Sequence, residues 1–152
     1  MKKYRGFEII SVASQCNLEV KLPTRNDVGS SGYDIYSPYD LTIEPKSKAK
    51  IPTGIKSYMQ TDEELLLFIR SSMAIKYDLE LCNNVGKIDS SYYNNPDNEG
   101  EIIIAIRNNG NSPYQIKKGD RICQASFYKY LTADNDIILN DIRSGGIGSS
   151  GN

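Results

Sequence analysis

Apolar residues occur in short runs along this chain, and turn-forming residues separate the runs. Some runs alternate apolar and polar residues, and others are short and continuously apolar, which is typical of β-strands. Glycine, asparagine, aspartate and proline stand between them, for example at residues 94–98 and 109–111, and indicate turns. The pattern therefore favours an all-β architecture. It predicts strands at residues 7–12, 34–36, 40–43, 49–51, 54–60, 65–69, 79–82, 87–89, 101–108, 114–116 and 122–130.

Many short strands with such punctuation predict a β sandwich or jelly roll. One short helix is predicted at residues 72–77, with Ser71 or Ser72 as its N-cap. The chain ends in a glycine- and serine-rich tail, which cannot bury enough apolar surface to order itself. We therefore predict one β domain at residues 1–131 and a flexible tail at residues 132–152. The tail is either a disordered terminus or, because Arg143 precedes its glycines, a lid that closes on an anion.

Composition narrows the class of protein. A chain of 152 residues with 39% apolar content is large enough for one core and too small for two. The 18 basic and 19 acidic residues form no basic block, so we expect no direct nucleic-acid binding. The apolar runs are much shorter than the roughly 20 residues that span a bilayer, and the start does not resemble a signal peptide. We expect a soluble, cytoplasmic protein with no membrane partner.

The chain has no histidine, so the side chain best suited to proton transfer near neutral pH is absent. A general base must then be a carboxylate, lysine, tyrosine or thiolate. The leading candidate is Asp89, because it follows the Gly86 turn and precedes the Tyr92 ring. The widely spaced Cys16, Cys82 and Cys123 are expected to be buried, reduced thiols, since they form no zinc-ligand pattern.

Three other segments each allow two interpretations. Arg70, Ser71 and Ser72 offer a guanidinium, two hydroxyls and the amides of a helix start, which suit a phosphate; they are equally compatible with an ordinary capped helix. Residues 119–124 are either part of a site or only a turn into a strand with a surface ion pair. Asp34, in residues 32–37, is either functional or a solvated residue at a strand entry.

Five short segments, taken in the order in which they occur along the chain, form one series of sequence motifs. They are Gly-Tyr-Asp-Ile at 32–35, Arg-Ser-Ser at 70–72, Asn-x-x-Gly-x-Ile-Asp-x-x-Tyr at 83–92, Gly-Asp-Arg-Ile-x-Gln at 119–124 and Gly-Gly-x-Gly-Ser-x-Gly at 145–151. The series resembles the five-motif signature of the trimeric dUTPase family. Its long third motif, residues 92–101, resembles the form of Gram-positive bacteria and their phages.

The resemblance implies a dUTPase-like jelly roll, a distorted β-barrel, that assembles as a homotrimer with active sites shared between subunits. It also implies the reaction: dUTP and water give dUMP and pyrophosphate, with Mg²⁺ bound to the triphosphate. Such an enzyme lowers dUTP, which limits uracil in DNA, and supplies dUMP for dTMP synthesis. If the chain is phage-encoded, it acts in the host cytoplasm.

The resemblance also implies roles around the base and sugar. Asp89 would activate the water that attacks the α-phosphorus, a role that suits a group ionised at neutral pH. Asn83 and the backbone of Lys87 and Ile88 would read the polar edge of uracil. Tyr92 would pack against the deoxyribose and leave no space for a 2′-hydroxyl.

The remaining implied roles concern the phosphates, the metal and the lid. Arg70, Ser71 and Ser72 would bind phosphates, with Gln124 near the phosphate or the attacking water. Asp34 would contact Mg²⁺ through water. The tail of another subunit would bring three residues to the site, with Arg143 and Ser149 over the γ-phosphate and Ile147 over the base.

The chain departs from the family pattern at a few positions. Ile147 stands where an aromatic usually stacks on uracil, which forfeits about 1 to 3 kcal/mol of stacking. Ile69 replaces a common proline and Ser91 a common acidic residue, with modest effects expected on rate. The insertion at residues 94–99 serves assembly or a partner. Two alternatives stay open: a dCTP deaminase-type relative, and a low-activity dUTP-sensing paralogue that binds a regulatory protein.

Overall fold

The computed structural model describes residues 2–141, 143 and 145–147. Within them, short strands dominate and two short α-helices interrupt the strand order. The helices are α1 (Ser11–Gln15) and α2 (Ser71–Tyr77), and a 3-10 turn covers Ser90–Tyr92. The strands are β1 (Gly6–Ile9), β2 (Thr24–Arg25), β3 (Tyr33–Tyr36), β4 (Leu41–Ile43), β5 (Lys48–Pro52), β6 (Ile55–Tyr58), β7 (Glu63–Phe68), β8 (Leu79–Leu81), β9 (Gly86–Asp89), β10 (Ile103–Asn108), β11 (Tyr114–Ile116) and β12 (Arg121–Lys129).

The largest sheet has the order β2-β3-β12-β7-β9, and the smaller sheets are β5-β10-β8, β1-β6 and β11-β4. The pairings are antiparallel. In the largest sheet β9 packs tightly on β7, because a Cβ added to Gly86 would lie 2.8 Å from the side chain of Leu67. A glycine at this position therefore lets the edge strand approach its neighbour.

The core follows from the two-residue period of the strands. On β7, Leu65 and Leu67 are buried while the alternate side chains are partly exposed, and β10 repeats this with Ile104 and Ile106. Alternation of this kind places one face of each sheet in the core. The prediction of an all-β, jelly-roll-like fold is confirmed. The division into a β domain at residues 1–131 and a tail at residues 132–152 stays a prediction.

The predicted strand at residues 7–12 is wrong beyond Ile9, because α1 begins at Ser11. Ile10 and Ala13 are both buried, and residues three apart share a helix face. The Glu99 carboxylate accepts hydrogen bonds from the Ser11 backbone N–H at 3.0 Å and from its hydroxyl at 2.6 Å. The start of α1 is thus stabilised by a residue distant in sequence, which local periodicity does not reveal.

The helix predicted at residues 72–77 is confirmed as α2, but its predicted cap is wrong. Arg70 is the N-cap residue, with extended backbone and no side-chain cap hydrogen bond, and Ser71 already lies in the helix. The short strand β2 was also not predicted, since it has only two exposed residues, Thr24 and Arg25, paired with β3. No helix of the described residues is long and apolar enough to cross a membrane.

The three cysteines are free and differ in exposure. Cys123 is buried, and burial raises the pKa of its thiol to about 12. Cys82 is half-buried and Cys16 is exposed. The expectation of buried, reduced thiols therefore holds for Cys123 and is wrong for Cys16.

Candidate functional site

A cavity of about 440 Å³ lies beside β9. We call it the β9 cavity. Its apolar wall comes from the core strands, and its polar rim comes from the segment before β9, from β9 itself and from the tail. The wall includes Leu67, Leu81, Ile103, Ile104 and Ala105 together with the ring of Tyr92, and the rim includes Asn83, Lys87, Asp89 and Arg143.

The edge position of β9 explains how this segment can meet a polar ligand. β9 is the last strand of the five-stranded sheet and pairs with β7 on one side, so its other side presents backbone N–H and C=O groups. The Lys87 ammonium lies 3.0 Å from Glu64, and this carboxylate raises the pKa of Lys87. Lys87 lines the cavity, Asn83 is exposed at its rim and Ile88 is half-buried.

Asp89 ends β9 at the rim of the cavity, where its side chain is 51% exposed. Its Oδ2 atom lies 3.4 Å from Nη1 of Arg143. A carboxylate in this position is accessible to water and to a ligand in the cavity. Its charge is balanced by a guanidinium that can also meet an anion.

Tyr92 forms a buried wall of the cavity, with 4% of its surface exposed. Its hydroxyl donates to the Glu101 carbonyl at 2.8 Å and accepts from Asn98 Nδ2 at 2.8 Å. Burial is the main cause of the raised pKa of Tyr92, so the hydroxyl stays protonated at neutral pH. The Arg143 guanidinium carbon lies 5.2 Å from the ring centroid, within cation–π range.

The tail reaches this cavity within one chain. Arg143 donates to the Gly145 carbonyl at 2.8 Å and to the Gly146 carbonyl at 3.1 Å, which curls the segment over the cavity. Ile147 also lines the cavity and is 69% exposed. Ser149 lies outside the described residues. The crossing of the tail to another subunit stays a prediction.

A second group of charged residues lies at the other end of the five-stranded sheet. The buried Asp34 carboxylate has its Oδ2 atom 3.4 Å from Arg121 Nη1 and its Oδ1 atom 3.8 Å from Arg70 Nε. We call Asp34, Arg70 and Arg121 the Asp34 cluster. Because Asp34 is buried and ion-paired, its interpretation as a solvated strand-entry residue is wrong. Among the described residues, Asp34 Oδ1 is buried without a hydrogen-bond donor.

The Asp34 cluster borders a surface cavity of about 520 Å³, which Lys21, Arg70 and Arg121 line. Three cations around one cavity suit an anion such as a phosphate. Gln124 is exposed and pairs with Asp34 across β3 and β12. Ser71 is exposed and Ser72 half-buried at the start of α2, directly after Arg70.

The register of the sheet separates the two groups. Asp89 pairs with Glu64 near one end of β7, and Gln124 pairs with Phe68 at the other end. The four-residue offset between Glu64 and Phe68 corresponds to roughly 14 Å along an extended strand. In addition, β9 and β12 lie on opposite sides of β7. Asp89 and Gln124 of one chain are therefore too far apart to contact the same phosphorus atom.

The structure also brings in residues that sequence reasoning did not assign. Arg121 and Lys21 join Arg70, and Asn98 holds the Tyr92 hydroxyl. The sequence of residues 119–124 predicts Arg121 only as a member of a surface ion pair. Its pairing with Asp34 depends on the β3–β12 register. No comparable local signal indicated Lys21.

An aromatic-walled cavity with an edge-strand rim suits a flat polar ring, and a cationic cluster suits phosphate; together they characterise a nucleotide-binding β protein. The dUTPase family model matches residues 18–151. The chain therefore belongs to the dUTPase family.

Individual relatives support the same family assignment. The deoxyuridine 5'-triphosphate nucleotidohydrolase of Lactococcus lactis is 41% identical over 150 residues, which cover 98% of this chain and 99% of that protein. The crystal structure of the dUTPase from Streptococcus mutans has a TM-score of 0.77 at 39% identity and covers 86% of this chain and 99% of that chain. A mutant dUTPase from phage phi11 of S. aureus, described with a structural Mg(II) ion, has a TM-score of 0.71 at 23% identity and covers 91% of this chain and 99% of that chain. This last similarity concerns the fold alone.

Proposed function

We propose that the protein is a dUTP diphosphatase, which hydrolyses dUTP to dUMP and pyrophosphate. The observation that carries this proposal is the position of Asp89, an accessible carboxylate at the rim of a cavity walled by an edge strand and a buried tyrosine ring. Membership of the dUTPase family supports it. The product dUMP would serve dTMP synthesis, and the loss of dUTP would limit uracil in DNA.

The β9 cavity would hold the deoxyuridine. The amide of Asn83 and the backbone of Lys87 and Ile88 would bind the polar edge of uracil, and cytosine would leave these groups mispaired because its exocyclic amine replaces an acceptor. Tyr92 would pack against the deoxyribose. Because the ring is buried and its hydroxyl already makes two hydrogen bonds, it would leave little space, and no free partner, for a 2′-hydroxyl.

Asp89 would accept a proton from the attacking water. The water would add to the α-phosphorus, the bond to the bridging oxygen would break, and pyrophosphate would leave. Arg143 lies 3.4 Å from Asp89 in the chain without substrate. In the proposed assembly this contact would be released, because Arg143 would reach the γ-phosphate at a neighbouring subunit's site, which frees the Asp89 carboxylate to hold water.

Arg70, Ser71 and Ser72 would bind the phosphates, with Gln124 near the phosphate or the attacking water. Positioned cations of this kind stabilise the charge that develops on phosphoryl oxygens. Arg121 of the Asp34 cluster would add a second guanidinium. Ile147 and Ser149 would cover the base and the γ-phosphate when the tail closes.

The donor set fits a magnesium ion carried by the substrate. Asp34 Oδ1 is a buried oxygen without a hydrogen-bond donor among the described residues, and these residues contain no group of three His, Cys, Asp or Glu that could hold a metal by themselves. Mg²⁺ keeps several waters and often binds through one carboxylate and substrate phosphates, so Asp34 would hold it through water. When bound, the ion withdraws charge from the triphosphate oxygens.

We also propose that the enzyme acts as a homotrimer. The roughly 14 Å offset between Asp89 and Gln124 along β7 supports an arrangement in which one substrate contacts the β9 cavity of one subunit and the Asp34 cluster of another. The tail of Arg143 would cross to a neighbouring site in the same assembly. A solution mass close to that of one chain, 17.0 kDa, would contradict this.

One assay tests the proposed reaction. The purified protein is incubated with dUTP, dCTP, dTTP and UTP, with and without Mg²⁺, and pyrophosphate release and base identity are followed. We expect pyrophosphate from dUTP far faster than from the others, and only with Mg²⁺. No pyrophosphate from dUTP would refute the proposal. Ammonia from dCTP would indicate the deaminase alternative, which the named relatives do not favour.

A further inference from the structure

The insertion at residues 94–99 lies directly against Tyr92. The Tyr92 hydroxyl makes two hydrogen bonds, as donor to the Glu101 carbonyl and as acceptor from Asn98 Nδ2, both 2.8 Å long. Two bonds at the end of the ring define its direction. Without Asn98 one bond would remain, and the ring could tilt about the Glu101 contact.

Asn98 can present only its amide nitrogen to this hydroxyl. Its Oδ1 atom already accepts from Asn95 Nδ2 at 2.8 Å and from the Gly100 N–H at 3.1 Å. Because an amide oxygen accepts and its nitrogen donates, these bonds orient Asn98 Nδ2 toward Tyr92. Asn95 is itself buried, and its Nδ2 also donates to the Tyr92 carbonyl at 2.9 Å.

The other side of the insertion is tied to the body of the domain. Lys56 donates to both Asn94 and Glu99 at 2.6 Å, and Glu99 accepts from Ser11 at the start of α1. Asn94 and Glu99 have φ of 56° and 63°, a left-handed conformation that costs non-glycine residues energy. The ion pair and amide bonds hold the loop in this conformation.

The same loop bounds the tail. A Cβ added to Gly146 would lie 2.9 Å from Asp97 Oδ2 and 3.3 Å from Asn98 Oδ1, so the tail packs closely on the insertion. Arg143 lies over the Tyr92 ring from the same segment. The insertion thus touches both the sugar-facing ring and the lid.

We propose that Asn98 is a positioning residue that sets the direction of the Tyr92 ring and thereby the discrimination between dUTP and UTP. This inference rests on the proposed function, in which Tyr92 meets the deoxyribose. The insertion then has a role inside its own site, because it fixes the wall that rejects the 2′-hydroxyl.

The test is a double-mutant cycle on substrate choice. Values of kcat/KM for dUTP and UTP are measured for wild type, Asn98→Ala, Tyr92→Phe and the double variant. We expect the dUTP-to-UTP ratio to fall about tenfold or more in each single variant, because small misplacements of a positioning group cost large factors. The loss in the double variant should be clearly smaller than the product of the two single losses, since both changes remove the bond between Asn98 and Tyr92. Asn26→Ala, at an exposed asparagine that donates to Asp27, should keep the wild-type ratio.

A ratio within about twofold of wild type in Asn98→Ala or in Tyr92→Phe would overturn the proposal, as would losses that multiply in the double variant. If Asn98→Ala does not fold, Asn98→Asp takes its place in the cycle, because it keeps the oxygen that accepts from Asn95 and Gly100 and removes the donor to Tyr92. If the wild type does not hydrolyse dUTP, the proposed function fails, and the role of Asn98 is then tested by binding. The affinities of the same variants for dUMP and UMP are measured by titration calorimetry. The dUMP-to-UMP affinity ratio should fall in each single variant, and an unchanged ratio would overturn the proposal.

Discussion

The β9 cavity and the Asp34 cluster offer different physical means of binding a ligand. The cavity has an apolar wall, a buried tyrosine and edge-strand backbone, with Asp89 and Arg143 at its rim. The cluster consists of charges, with two arginines on a buried carboxylate beside a cavity that Lys21 also lines. Shape and backbone pairing suit a base and sugar, whereas charge suits a triphosphate.

Under the proposed mechanism, hydrolysis of dUTP needs both regions. The β9 cavity has the proposed base, Asp89, and among the described residues one guanidinium at its rim, that of Arg143. The cavity beside the Asp34 cluster is lined by three cations together with Tyr36, Tyr114 and Asp120. Their separation along β7 is the reason we propose that substrate selection and charge stabilisation are brought together by assembly.

The largest expected effect comes from Asp89→Asn, which keeps the shape of the side chain and removes its negative charge. We expect kcat to fall by about 10²- to 10⁴-fold, the usual contribution of a general base, with little change in KM for dUTP. Steady-state pyrophosphate release measures both. Asp62→Asn, at a surface aspartate paired with Lys129 at 2.9 Å, is the matched control and should behave as wild type. Normal turnover by Asp89→Asn would rule out this base.

Deletion of residues 143–152 removes the tail from the cavity. We expect turnover to fall by about tenfold or more, as for lids that complete a site. The thermal unfolding midpoint should change little, because the tail residue Ile147 is 69% exposed and adds little to the core. Parallel measurement of kcat and of thermal unfolding checks this. A large loss of stability with unchanged turnover would show a structural tail instead.

The third prediction separates the two regions by ligand. Arg70→Ala should raise KM for dUTP by about tenfold, since a charge-assisted hydrogen bond contributes about 1.5 to 3 kcal/mol. It should leave the affinity for deoxyuridine unchanged, because this nucleoside has no phosphate. Asn83→Ala should weaken both ligands. Arg107→Ala, at a guanidinium paired with Glu80 at 2.7 Å, is the control. Equal loss of dUTP and deoxyuridine affinity in Arg70→Ala would contradict the division of roles.

The smallest effect concerns the insertion that supports the cavity. The Lys56 ammonium, with further help from Ser11, lowers the pKa of Glu99 to about 2 from its usual 4.5. A lowered folded-state pKa stabilises the fold above the unfolded-state value, and this contribution is lost as pH falls from about 4.5 to about 2. Glu99→Gln should therefore be less stable than wild type at pH 6, by about 1 kcal/mol, and the two should converge near pH 2. Urea unfolding at several pH values measures the difference. A difference that does not change with pH would exclude this ion pair as its cause.

Much of this molecule could be predicted from short-range sequence pattern. The short apolar run at residues 65–69 predicts β7, and this signal is local, because strand pattern and turn residues act within a few positions. The helix α2 was predicted for the same reason. Asp34, Arg70 and Asp89 are predicted as site residues by the resemblance of the five-motif series to the dUTPase family.

Other features depend on contacts between distant residues. The start of α1 needs Glu99, which accepts from Ser11 across 88 positions. The pairing of Arg121 with Asp34 needs the register of β3 and β12. The hydrogen bond from Asn98 to Tyr92 depends on a loop that contains residues in the left-handed backbone conformation. The periodicity of a short sequence segment does not predict contacts between distant residues.

Mixed trimers test most directly whether Asp89 of one subunit and the Asp34 cluster of another act on the same dUTP. Chains with Asp89→Asn and chains with both Arg70→Ala and Arg121→Ala are co-expressed with different tags, and trimers carrying both tags are purified. In every such trimer one of the three shared sites takes intact residues from both chains, so kcat/KM should be about one third of wild type. Each parent trimer should be nearly inactive. Mixed trimers no more active than the average of their parents would show that the site lies within one chain.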